Sequence, residues 1–140
     1  MKNCISVVVL FLGCLFFVSG RAHLAAQSQG GDSAQVIEMT AKKYEFSPGE
    51  IRVKKGTRVQ LKIRATDRAH GIKIRLYPDG APESGDPGLR MAEAQDNFKL
   101  DHNQERVIEF VAERPGAYTF RCSVFCGFGH RGMSGKLIVK

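Results

Sequence analysis

The chain has 140 residues, with 21 Lys and Arg against 14 Asp and Glu, a formal charge of +7 and no tryptophan. Once an N-terminal segment is set aside, that length leaves one compact domain of roughly 100–120 residues. Of the four cysteines, Cys4 and Cys14 lie in an apolar N-terminal stretch and only Cys122 and Cys126 fall in the folded part, which excludes a disulfide framework.

Lys2 precedes a nearly unbroken apolar run from Cys4 to Val18, followed by Ser19, Gly20 and Arg21. A basic start, an apolar core and small residues at its end have the form of a secretory signal. The run falls short of the about 20 residues a spanning helix needs. Residues 1–20 are therefore read as a signal peptide, with a single retained membrane anchor through residues 4–18 as the alternative. Phe11-Leu-Gly-Cys14 has a faint likeness to a lipoprotein box, but the apolar Leu15 to Val18 is the wrong continuation. Each outcome puts the domain in the periplasm or on the outer face of the cytoplasmic membrane. An exported chain with scattered basic residues has no use for nucleic acid. Its charge instead favours acidic partner surfaces or anionic lipid heads.

Residues 21–35, rich in Ala, Gln, Ser and Gly, read as a flexible tether, and residues 36–140 as the folded domain. In the domain the hydrophobic period is two. Val59, Leu61, Ile63 and Ala65 alternate with Arg58, Gln60, Lys62 and Arg64, and Ile72, Ile74 and Leu76 alternate with Lys73 and Arg75. Tyr118, Phe120 and Cys122 follow the same rule, as do Leu137 and Val139. Each run predicts a strand with one wet face. Further strands are expected near 36–46, 51–54 and 106–112, separated by turns at Ser47-Pro-Gly49, Lys55-Gly56 and Arg114-Pro-Gly116. About seven antiparallel strands at this spacing predict an all-β, single-domain Greek-key β-sandwich. Pro78 to Gln95 reads as a long loop with one helical turn around Leu89 to Ala94.

The C-terminal string Cys122-Ser-Val-Phe-Cys126-Gly-Phe-Gly-His130-Arg-Gly-Met133 carries the chemistry. Two thiols, one imidazole and one thioether fall within twelve positions, between two predicted strands. Soft sulfur beside imidazole suits copper, and a mononuclear electron-transfer site uses two His, one Cys and a weak axial Met. This segment offers one thiolate more. The glycines at 127, 129, 132 and 135 let the backbone turn tightly enough for Cys126, His130 and Met133 to converge. A second imidazole is needed. His70, at the start of a strand after the polar Thr66–Ala69 turn, is the favoured candidate. His102, in Asp101-His-Asn-Gln-Glu105, reads as a solvated turn residue, and His23 lies in the tether. Phe125 and Phe128 read as packing residues that shield the site.

Cys-x3-Cys-x3-His-x2-Met near the C-terminus, with Asp67-Arg-Ala-His70 upstream, resembles the binuclear copper A site of cytochrome c oxidase subunit II and of the related nitrous oxide reductase domain. The Arg114-Pro-Gly-Ala-Tyr118 lead-in and the closing Gly135-Lys-Leu-Ile-Val139 strand extend the resemblance over roughly residues 36–140. It implies a cupredoxin fold with two copper ions bridged by Cys122 and Cys126. His70 and His130 would each bind one ion, Met133 would be a weak ligand, and Val124 would contribute its backbone carbonyl. It also implies an exported carrier, a cytochrome c or a small copper protein, as donor, and an oxidase with its subunit I as neighbour.

Four features depart from that pattern, the first being that the usual subunit carries two membrane helices and this chain is expected to have at most one. Val124 stands where the usual subunit has a Glu that serves a metal at the subunit I boundary. The Trp of the usual docking patch is missing, and the basic charge is opposite to the usual acidic docking face. They bear on the partner and leave the ligand set intact. Copper(I) delivery or storage is the alternative function. Zinc fits two Cys and two His but not the Met. Independent catalysis is not expected, because every recognisable ligand is used; the chain would be at most an electron-accepting component of an oxidase-type complex.

Overall fold

The computed structural model describes residues 33–140, so the expected signal or anchor segment 1–20 and most of the tether lie outside the described residues. The alternating runs form β1 (Gln35–Lys42), β2 (Glu45–Ser47), β3 (Glu50–Val53), β4 (Arg58–Ala65), β5 (His70–Ile74), β6 (Leu89–Met91), β7 (Asn97–Leu100), β8 (Glu105–Ala112), β9 (Gly116–Arg121) and β10 (Ser134–Val139). The only helical element among the described residues is a 3-10 turn at His130–Gly132, and no described helix is long and apolar enough to cross a membrane.

Two five-stranded sheets, ordered β2-β1-β4-β8-β6 and β3-β10-β9-β5-β7, face each other. The chain repeatedly switches sheets, which gives the non-sequential strand order expected of a Greek-key sandwich. One consequence departs from the expected antiparallel pattern: β1 pairs parallel with β4, and β3 parallel with β10. Between β1 and β4 the chain visits the opposite sheet through β3, so it returns to the first sheet in its original direction. The alternation in β4 is obeyed throughout, with Val59, Leu61, Ile63 and Ala65 buried. Its wet face carries Gln60 and Arg58, both hydrogen-bonded to Glu109 of β8.

Three elements differ from expectation. The predicted strand over 36–46 breaks at Lys43 and Tyr44 into the hairpin β1–β2. The predicted helical turn at 89–94 is instead β6, an edge strand in which Leu89 pairs with Ala112 and is fully buried. β7 was hidden by its shortness, although Phe98 and Leu100 alternate with Asn97 and Lys99. Phe98 lies opposite Ile72 and under the Arg106 guanidinium, 5.3 Å from its ring centre.

The Pro78–Gln95 loop is tied down by Tyr118, whose fully buried hydroxyl donates to the Arg114 carbonyl at 2.6 Å while its ring packs against Gly88. Tyr118→Phe leaves that carbonyl without its partner and should lower unfolding stability by about 1–3 kcal/mol, read from urea denaturation; an unchanged midpoint would refute the role of the bond.

Candidate metal centre

β9 and β10 are antiparallel neighbours with Ser134 opposite Arg121, so the segment between them leaves and re-enters one ladder. The ladder continues one step further, where the Cys122 N–H donates to the Met133 carbonyl at 3.0 Å. The first and last soft donors are thereby placed side by side by backbone alone. Within the loop, Gly127 takes φ +127°, a conformation other residues rarely adopt. The following 3-10 turn is held by His130 N–H to Gly127 carbonyl at 3.0 Å, and it turns the imidazole back towards the sulfurs.

His70 arrives from the other side. β5 pairs with β9 only at Lys73 and Ile74, so its first residues run past the end of β9 and under the loop. There the strand's outer face is covered too, and His70, Gly71 and Ile72 are all buried. A side chain at Gly71 would collide with Ser123 and Val124, so the close approach of loop to strand requires glycine.

The donors form a connected set. His70 Nδ1 lies 3.7 Å from Cys122 Sγ, and Cys122 Sγ lies 3.8 Å from Cys126 Sγ. Cys126 Sγ lies 3.8 Å from both His130 Nδ1 and Met133 Sδ. The Val124 carbonyl is 3.2 Å from Cys122 Sγ. All six positions expected from the sequence are thus together, and His70, Cys122 and Cys126 alone place their donor atoms within 4.8 Å of one another. His102 is not among them; it is exposed, beside Ala65 at a sheet bridge. His23 lies outside the described residues.

Asp67 orients the upstream imidazole. Its Oδ1 is 2.7 Å from His70 Nε2, and its Oδ2 accepts the Lys43 N–H at 3.2 Å. Burial opposes ionisation of Asp67, but these two hydrogen bonds outweigh it and hold the carboxyl below its ordinary range. An ionised carboxylate only accepts, so Nε2 carries a proton towards Asp67, and the ring is held with Nδ1 facing Cys122. Tyr44, which the sequence pattern did not single out, packs its ring under Gly127 and Gly129, where a side chain at Gly129 would overlap it. Phe125 and Phe128 correct an expectation. They do not shield the site, because the tight turn points both rings outward; Phe125 is 74% exposed and Phe128 fully so. Phe125 lies 5.9 Å from the His130 ring, centre to centre.

A family model described as a cupredoxin-like domain matches residues 8–139. The chain belongs to the cupredoxin-like family. A cytochrome c oxidase subunit 2 from Thermus thermophilus is 24% identical over 112 residues, covering 80% of this chain and 70% of that protein. A chain from a heme-copper terminal oxidase dimer superposes with a TM-score of 0.56 and 26% identity, over 79% of this chain and 66% of its own length. Auracyanin A, a "blue" copper protein from Chloroflexus aurantiacus, also gives 0.56 at 17% identity, over 77% of this chain and 100% of its own. Equal scores from an oxidase chain and a blue copper protein leave the discrimination to the ligand loop.

This cupredoxin-like donor set fits soft metal ions. Two sulfurs on one tetrahedral ion with bonds of ~2.3 Å stand ~3.8 Å apart, and a sulfur and a nitrogen slightly less. The Cys122–Cys126 sulfur separation, 3.8 Å, has that value. A disulfide would need about 2.05 Å, and both cysteines are free. Burial pushes the Cys126 thiol up to about 11, helped by the hydrogen bond and charge of Cys122 and by the charge of Asp67. A thiolate there therefore needs a cation beside it. Without metal, the folded domain keeps the Cys126 proton while the unfolded chain releases it near 9.0, so stability should fall as pH rises from 9.0 towards about 11. Urea midpoints across that window should fall more in the metal-free parent than in metal-free Cys126→Ser, and equal slopes would refute the assignment.

Proposed function

We propose that this cupredoxin-like domain is an exported electron-transfer module that holds two copper ions in a copper A-type site. It accepts single electrons from an exported carrier, a cytochrome c or a small copper protein, and passes them to a terminal oxidase or reductase. The observation that carries this reading is the unbroken series of donor contacts from His70 through Cys122 and Cys126 to His130, with Met133 and the Val124 carbonyl at its two sides.

In this reading Cys122 and Cys126 would be the donors shared by the two ions, and His70 and His130 would bind one each. Met133 would be a weak ligand on one ion and the Val124 carbonyl on the other. When bound, the copper pair supplies a one-electron couple spread over both ions. The protein's part is to keep the donors still. Four of the five donor side chains are buried, their loop is closed by the β9–β10 ladder, and Asp67 fixes the His70 tautomer. Little rearrangement is then left for a change in charge. The likeness to cytochrome c oxidase subunit 2 supports an oxidase as acceptor, with its subunit I as neighbour. It also supports a location in the periplasm or on the outer face of the membrane.

Copper-to-protein ratio and electron paramagnetic resonance of the copper-loaded chain test the reading. Two ions per chain and a hyperfine pattern from one electron shared by both are expected. Cys126→Ser should hold at most one ion; two ions with an unchanged spectrum would defeat the bridging assignment. His70→Ala should disturb the spectrum and His102→Ala should not. Copper held only as Cu(I) and readily lost to chelator would favour delivery.

The surface around the loop bears on the carrier. Arg131 sits with Phe125, Phe128 and His130 around one shallow depression and has no ion-pair partner among the described residues. With the chain at +7, docking should favour an acidic carrier. Its reduction rate, followed by stopped flow, should then fall with rising ionic strength; a flat or rising dependence would overturn the charge assignment.

A further inference from the structure

Arg68 lies in the turn between β4 and β5, next to Asp67 and two residues before His70. Its Nη1 donates to the backbone carbonyl of Cys126 at 3.1 Å, across 58 positions of sequence. Its Nε stands 4.0 Å from Asp67 Oδ2. Among the described residues this is the one hydrogen bond joining the stretch 124–132 to any residue outside the loop Cys122–Met133. Other bonds in that stretch are internal, such as His130 to Gly127 and Gly132 to Gly129. The end residues of the loop are fixed by the ladder, but Cys126 sits near its middle, where the ladder cannot reach. One turn therefore serves both halves of the donor set: Asp67 holds His70, and Arg68 holds the backbone of Cys126.

The charge matters as much as the bond. A guanidinium stays protonated at every accessible pH. It presents a fixed positive charge on the backbone of a cysteine whose sulfur must be a thiolate to bind metal. A positive charge at that distance favours the more electron-rich state of whatever redox couple the sulfurs hold.

We propose that Arg68 is a positioning residue for the metal centre: it tethers the middle of the ligand loop to the His70 turn, and its charge raises the reduction potential of the bound site. The proposal rests on the copper reading above for the potential, but not for the tether. Arg68→Met, which keeps much of the stem and removes both donor and charge, tests the two parts on the full chain. In metal-free protein, hydrogen exchange at the His130, Gly132 and Met133 amides should quicken about three- to tenfold, the modest value expected for a charged hydrogen bond at a half-exposed side chain. Arg131→Met, which removes a loop charge without this bond, should leave those rates unchanged once intrinsic exchange is corrected for the new neighbouring side chain.

After loading with copper(II), Arg68→Met at the parent's copper-to-protein ratio should show a lower reduction potential by voltammetry and an altered paramagnetic spectrum. Unchanged exchange in metal-free Arg68→Met overturns the tether, as does equal acceleration in Arg131→Met. An unchanged potential in the loaded variant overturns the charge role. The metal-free arm stands whether or not the parent takes up two copper ions, so failure of the tether and failure of the copper reading are separable.

Discussion

The pairing of β9 with β10 is the constraint on which the site depends. An antiparallel ladder that ends at Arg121–Ser134 and gains one further bond, Cys122 N–H to Met133 carbonyl, closes a loop whose two ends cannot drift apart. Ligands on such a loop have few remaining degrees of freedom, and ordering them on metal binding costs correspondingly little. The loop adds its own constraints where the ladder stops. Gly127 reverses the chain, a short 3-10 turn carries His130 inward, and Tyr44 packs below the glycines at 127 and 129. The loop is thus built by ladder hydrogen bonds at its ends and, in its middle, by the 3-10 turn, the Arg68 bond to the Cys126 carbonyl and steric fit against Tyr44.

His70 belongs to a different segment and is brought in by a deliberate shortfall in pairing. Had β5 paired with β9 along its whole length, its N-terminal end would be an ordinary strand with one face solvated. Because the ladder stops at Lys73, the end of β5 lies beneath the loop. A buried histidine without a partner would be costly, and Asp67 meets that need from the preceding turn at 2.7 Å. The same bond leaves the other ring nitrogen free to face sulfur. Folding and ligand orientation are served by one contact.

How much of this was legible in the sequence depended on the range of the interaction. Strands as long as β4 and β8 were readable, since period-two alternation over eight residues is unambiguous. β6 and β7, with three and four residues, are too short for a period to emerge and exist because a neighbouring strand offers them a ladder. The parallel pairs β1–β4 and β3–β10 follow from where the chain changes sheets, which no local pattern encodes. The ligand spacing was fully visible, and Asp67 was visible as part of the Asp-x-x-His pattern. Arg68 and Tyr44 were not, because an arginine in a turn and a tyrosine between strands have many uses; only their contacts across the fold give them one. Phe125 and Phe128 misled for the opposite reason. Aromatic residues beside ligands suggest shielding, but a glycine-rich turn decides which way they point.

The electrostatics of the site bear on how it is filled. Burial and the neighbouring thiol push Cys126 up to about 11, so at neutral pH the metal-free Cys126 keeps its proton in a buried position. Binding a soft cation reverses the balance, since the attraction between cation and thiolate grows in the same low dielectric that disfavoured the thiolate alone. Metal uptake must therefore release protons and weaken as pH falls. Once filled, the site is screened from water except near His130 and the exposed rings of Phe125 and Phe128. That opening lies beside His130, whereas His70 is fully buried and bonded to Asp67. The geometry therefore leaves His130 as the donor side chain nearest solvent, and His70 as the one held fixed from within.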